Sequence, residues 1–76
     1  MKVRLAVYGH SQQYLPGHFP VEVDLDGPRS VEEILDMLGI NQQLVMGVFS
    51  KGQRRSKAYV PEDGEEIVLV SPPAGG

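Results

Sequence analysis

Residues 67–70 read Ile-Val-Leu-Val, apolar at every position, and they stand close to the C-terminal end of a 76-residue chain. A strand with one face in water alternates apolar and polar side chains. A run without alternation suggests burial on both sides, at the middle of a sheet. The last strand is therefore expected to insert between earlier strands instead of extending an edge. Seventy-six residues hold one core, and a domain of this size buries only about 60 % of its unfolded surface.

The earlier elements fit such a sheet. Val3, Leu5 and Val7 alternate with Lys2, Arg4, Ala6 and Tyr8, and Val21, Val23 and Leu25 alternate with Glu22, Asp24 and Asp26. Both segments read as strands with one apolar face. A polar connection at residues 9–18, containing Pro16-Gly17, joins them. Ser30 followed by Glu33 forms a capping box, and Glu32 and Glu33 place negative charge in the first helical turn. Val31, Ile34, Leu35 and Leu38 then fall on one helical face, with Gly39 at the expected left-handed C-cap. So short a helix, residues 31–38, depends on packing for its stability. Residues 44–50 read as a third strand, followed by a Lys51-Gly52 turn. A short strand is expected around residues 57–60, and Pro61-Glu62-Asp63-Gly64 makes a turn. The order β-β-α-β-β-β, closing on a central strand, is an α+β fold of the β-grasp, ubiquitin-like kind. Its mixed sheet has four to five strands, and one main helix packs on one face.

After Val70 the chain continues Ser71-Pro72-Pro73-Ala74-Gly75-Gly76. The prolines donate no backbone hydrogen bond, so the sheet is expected to end there, and they favour an extended course. Glycines without Cβ atoms make a terminus narrow enough for another protein's groove to close around. Residues 1–70 are thus expected to form the β-grasp domain and residues 71–76 an extended tail.

The whole chain resembles the ThiS/MoaD family of sulfur-carrier proteins. The resemblance rests on residues 1–8, on the helix at residues 31–38, on Glu62-Asp63-Gly64-Glu65-Glu66-Ile67 and on Pro72-Pro73-Ala74-Gly75-Gly76. It implies that an E1-like adenylating enzyme spends ATP to activate the Gly76 carboxylate. Sulfur then displaces the nucleotide, and the thiocarboxylate donates sulfur to a synthase. Pro72, Pro73, Ala74 and Gly75 would be the recognised tail. The chain itself would be a carrier and not an enzyme, with ATP bound by the partner. The pathway would be that of molybdopterin or tungstopterin, with a molybdopterin synthase large subunit as recipient, favoured over thiazole synthase by the Pro-Pro ending and the long first connection. Ser71 departs from the large apolar residue usual before the prolines. The alternatives are a ubiquitin-like modifier joined to lysines through Gly76, and a plain β-grasp binding module.

Composition excludes several other roles. Ten acidic residues against seven basic ones give a net charge of −3, opposite to the surplus a nucleic-acid binder needs. The absence of cysteine removes disulfides, thiolate zinc sites and thiol nucleophiles, and fits a cytoplasmic protein. The first residues lack a signal-peptide pattern, and no apolar run approaches the ~20 residues of a membrane span. His10 and His18 lack the partners of a metal site. Asp24, Asp26, Glu32, Glu33 and Asp36 read as a solubilising face. Lys51, Arg54, Arg55 and Lys57 are either a docking patch for an acidic partner or phosphate, or a solvated loop. Partner docking is expected on the exposed sheet face, with Tyr8, Met46, Val48 and Val68 as candidates opposite a core set of Val7, Val45 and Ile67. Ordinary sheet packing is the alternative for each.

Overall fold

A computed structural model of the chain describes residues 1–9, 15 and 17–71. The elements run β1 (Lys2–Val7), β2 (Val21–Asp24), α1 (Val31–Met37), a 3-10 turn (Gln42–Leu44), β3 (Gly47–Ser50), β4 (Gln53–Arg55) and β5 (Glu66–Val70). The five strands form one sheet in the order β2-β1-β5-β3-β4. The last strand is indeed at the centre, parallel to β1 and antiparallel to β3. This is the expected β-grasp.

One core cluster holds the domain together. Val3, Leu5 and Val7 of β1, Ile67 and Leu69 of β5 and Val48 of β3 join Val31, Ile34 and Leu35 of α1. The helix starts as its sequence requires: Ser30 Oγ accepts from the Glu33 N–H at 3.3 Å, and Glu33 Oε1 accepts from the Ser30 N–H at 3.0 Å. The Ser30 backbone bond, with the Ser30 hydroxyl and the Arg29 charge, holds the Glu33 carboxyl below its usual range. The helix ends in a Schellman arrangement. Gly39, at φ +72°, donates to Asp36 O, and Ile40 donates to Leu35 O. Leu38 is the C-cap and 40 % exposed, so it leaves the apolar face expected of it.

Three sequence expectations are corrected. The segment at residues 57–60 is not a strand: the Lys57 and Tyr59 carbonyls accept from the Glu32 and Val31 N–H groups and close the helix start. The fourth strand is instead Gln53–Arg55, paired with β3 straight across the two-residue turn. Lys51 (φ 55°) and Gly52 (φ 74°) both take positive φ there, the geometry that suits a tight hairpin. The third strand starts at Gly47, not at residue 44, because Gln42–Leu44 is a 3-10 turn capped by Asn41. Finally, among the described residues β5 is covered on one face only. Ile67 and Leu69 are fully buried, whereas Val68 and Val70 are half-buried.

No helix among the described residues is long and apolar enough to cross a membrane.

Candidate partner-docking face

Direct cross-strand partners place their side chains on the same face of a sheet. Counting from the buried Val3, Leu5, Ile67, Leu69 and Val48, the register therefore defines the residues on the uncovered side. Three rows cross it. In the first, Arg4 of β1 faces Glu22 of β2 and Glu66 of β5, at 4.0 and 3.2 Å. The second runs Ala6, Val68, Phe49 and Arg54 across four strands. The third pairs Val70 with Gly47, with Tyr8 following β1 alongside and donating its N–H to Leu69 O at 2.9 Å.

This open face is charged at the end where β5 begins and apolar where it finishes. Tyr8 is 68 % exposed and Phe49 37 % exposed. A Cβ at Gly47 would stand 3.1 Å from Phe49 Cε2, so the absent side chain lets the Phe49 ring lie across the strand. An open groove of about 820 Å³ results, walled by Tyr8, Phe49, Val68 and Val70, with Lys51 and Glu66 at its charged end. It opens to solvent and is not an enclosed cavity.

The candidate residues divide. Tyr8 and Val68 lie on this face, and Met46, 55 % exposed, borders it, its N–H donating to Val70 O at 2.7 Å. Val48 does not: it is 1 % exposed and pairs with Leu69 on the helix side. Alternation counted from Val45 assigned it outward, but Val45 lies before the strand, and a break of one residue flips every side chain after it. Phe49 takes the outward place. Pro72, Pro73, Ala74, Gly75 and Gly76 lie outside the described residues. Ser71, just before them, is buried.

Sequence reasoning also missed the group that fixes β5 beside β3. Glu65 is 7 % exposed, and its carboxylate collects three donors. Ser50 Oγ and Tyr59 OH (2.7 Å) donate to Oε2, and the Glu62 N–H donates to Oε1 at 2.9 Å. Burial pushes the Glu65 carboxyl up. The Glu62 N–H and the two hydroxyls outweigh it, with help from the Lys51 charge, and hold the group below its usual range. The same bond pushes the Tyr59 phenol up, because ionising it would lose the donor to a carboxylate. Arg55 stacks 4.7 Å over the Tyr59 ring. Only the Glu-Glu run before the last strand hinted at this network.

Together these features define a small ubiquitin-like β-grasp domain whose central strand carries an uncovered apolar face. No protein-family model and no curated protein sequence matches the chain. Among solved structures, SAMP1 from Haloferax volcanii is similar, with a TM-score of 0.70 over 100 % of both chains at 21 % sequence identity. At that identity the likeness establishes the fold.

Proposed function

We propose that this chain is a sulfur carrier whose Gly76 carboxylate is adenylated by an E1-like enzyme and converted to a thiocarboxylate. The observation that carries this reading is the course of β5. The strand is held by β1 as far as Leu69 and by β3 as far as Val70, its outward residues Val68 and Val70 belong to the apolar face, and after Ser71 the sequence passes into Pro-Pro-Ala-Gly-Gly. A partner that grips this face holds the origin of the terminal segment. The β-grasp fold shared with SAMP1 supports the wider class of ubiquitin-like carriers and modifiers.

A carboxylate is a poor electrophile; when one of its oxygens attacks the α-phosphorus of ATP, pyrophosphate leaves and that oxygen becomes part of a good leaving group, AMP. A sulfur nucleophile attacks the acyl carbon, AMP departs, and the thiocarboxylate remains. The partner supplies the nucleotide site, while this chain supplies the docking face and the narrow tail of Pro72, Pro73, Ala74, Gly75 and Gly76. The recipient is a cofactor-forming synthase, with the molybdopterin synthase large subunit favoured over thiazole synthase, in the cytoplasm.

The test is to incubate the purified chain with the adenylating enzyme of its own genome, ATP and a sulfide source, and to weigh the product. Replacement of one oxygen by sulfur, abolished when one alanine is appended after Gly76, is the expected outcome. Conjugates to lysines in place of the thiocarboxylate would establish the modifier alternative. Partner binding that survives the appended alanine, with no acyl chemistry on the native chain, would leave a plain binding module.

A further inference from the structure

The sequence places four of its seven basic residues at positions 51–57, and the carrier reading makes no use of them. The structure separates them into two pairs. Arg55 and Lys57 have internal duties: Arg55 stacks on Tyr59, and Lys57 Nζ donates to Gln42 O at 2.8 Å. Lys51 and Arg54 lie beside the open face instead. Arg54 stands directly across from Phe49, in the row of Ala6 and Val68. Lys51 tops the β3–β4 hairpin and lines the apolar groove.

Their bonding is loose by comparison with that of Arg4 and Arg29. Arg4 and Arg29 each hold carboxylates. Arg54 forms no ion pair among the described residues and reaches only Met46 O, at 3.4 Å. Lys51 approaches Glu62 at 3.9 Å, with more than half its side chain exposed. The other edge of the sheet carries Glu22 and Asp24 on β2. Those carboxylates stand opposite Lys2 and Arg4 at the charged end of the sheet, whereas Arg54 stands in the apolar row itself.

We infer that Lys51 and Arg54 form a cationic flank that engages carboxylates on the adenylating enzyme and fixes the direction in which this face docks. The inference rests on the carrier reading. An apolar face by itself accepts a partner in several rotations, whereas a charged flank on one edge favours one of them and repels the others. The occupant is a protein surface with an apolar protrusion and acidic residues on the side that meets β4. Docked so, it approaches the terminal segment where β5 ends.

ATP–pyrophosphate exchange by the genome's own adenylating enzyme, with this chain as substrate, tests the inference. The double variant Lys51→Glu/Arg54→Glu is expected to raise KM for the carrier about tenfold with kcat unchanged, since reversing charges at a rim weakens encounter and not chemistry. The wild-type KM rises between about 0.05 M and about 0.3 M salt, and this dependence disappears in the variant. Arg54→Lys keeps most of the affinity. Lys2→Glu, a single charge reversal at the far end of β1, leaves KM within about twofold, as a rim charge away from the contact should. Both altered side chains are exposed, so urea midpoints stay at the wild-type value and report any loss of fold. A KM for the double variant within about twofold of wild type, with its salt dependence intact, would overturn the flank while leaving the carrier reading in place. Absence of any exchange with the wild-type chain would overturn the carrier reading, and the flank with it.

Discussion

Replacing Glu65 by glutamine keeps the shape of a buried side chain and removes its charge. The native carboxylate accepts from Ser50, Tyr59 and the Glu62 N–H. A glutamine amide has one oxygen. If that oxygen faces the two hydroxyls, its NH₂ group meets the Glu62 N–H, donor against donor; if it is flipped, the hydroxyls lose their acceptor. Either arrangement loses at least one charge-assisted bond and leaves a buried donor unpaired, which costs about 2–3 kcal/mol. For a domain of 60–100 residues that corresponds to a fall in Tm of roughly 10–20 °C. Urea titration at pH 7, with m unchanged, measures the loss directly. The pH dependence supplies a second check. The folded Glu65 carboxyl is held below its unfolded value, which is about 4.3 for an unperturbed glutamate. Its stabilisation is therefore complete well above that pH and is lost as pH falls through the lower folded value. The difference between wild type and Glu65→Gln should shrink over that acid window. A loss below about 0.5 kcal/mol at pH 7, within the ordinary range of surface substitutions, would refute the reasoning. So would a difference that stays constant down to pH 3.

Val48→Ala removes two buried methyl groups and should cost about 2 kcal/mol in urea unfolding while leaving partner affinity unchanged once the chain is folded. Tyr8→Ala should do the reverse, with a stability change within about 0.5 kcal/mol and a clear loss of affinity for the adenylating enzyme. Ser30→Ala deletes the helix cap and should lower stability by about 1 kcal/mol, read from the urea midpoint.

Much of the architecture is legible in the sequence because it rests on strong local signals. The Ser30–Glu33 box and Gly39 bracket the helix to within a residue. The unbroken apolar run at residues 67–70 points to the centre of the sheet, although for a partly mistaken reason. Val68 and Val70 are apolar without a covering layer, and burial on both sides is only one way to account for such a run. Errors gathered at residues 44–60, where local and tertiary requirements differ. Gln53-Arg54-Arg55 has no strand-like alternation and pairs because the turn before it returns the chain alongside β3. Ala58-Tyr59-Val60 looks more like a strand, yet its backbone is needed at the helix start. Alternation carried through Val45 and Met46, before pairing begins, puts Val48 on the wrong face. The Glu65 carboxylate gathers the Ser50 and Tyr59 hydroxyls and the Glu62 backbone N–H, and no periodicity records such a meeting. Of the residues the sequence puts on the open face, Tyr8 and Val68 lie on it, Met46 borders it and Val48 lies on the helix side.

The position of β5 also has a consequence during synthesis. Arg4 faces Glu66 across the parallel ladder, so the first strand made waits for the last before it gains its inner neighbour. Until then β1 and β3 have no common strand between them, and the hydrophobic sides of both remain open. Such long-range pairing delays closure of the sheet until translation through β5 is complete. A product cut short before residue 66 lacks the middle of the sheet and cannot assemble the apolar face. Ribosomes that stop early thus release chains that lack the open face on which the proposed docking depends.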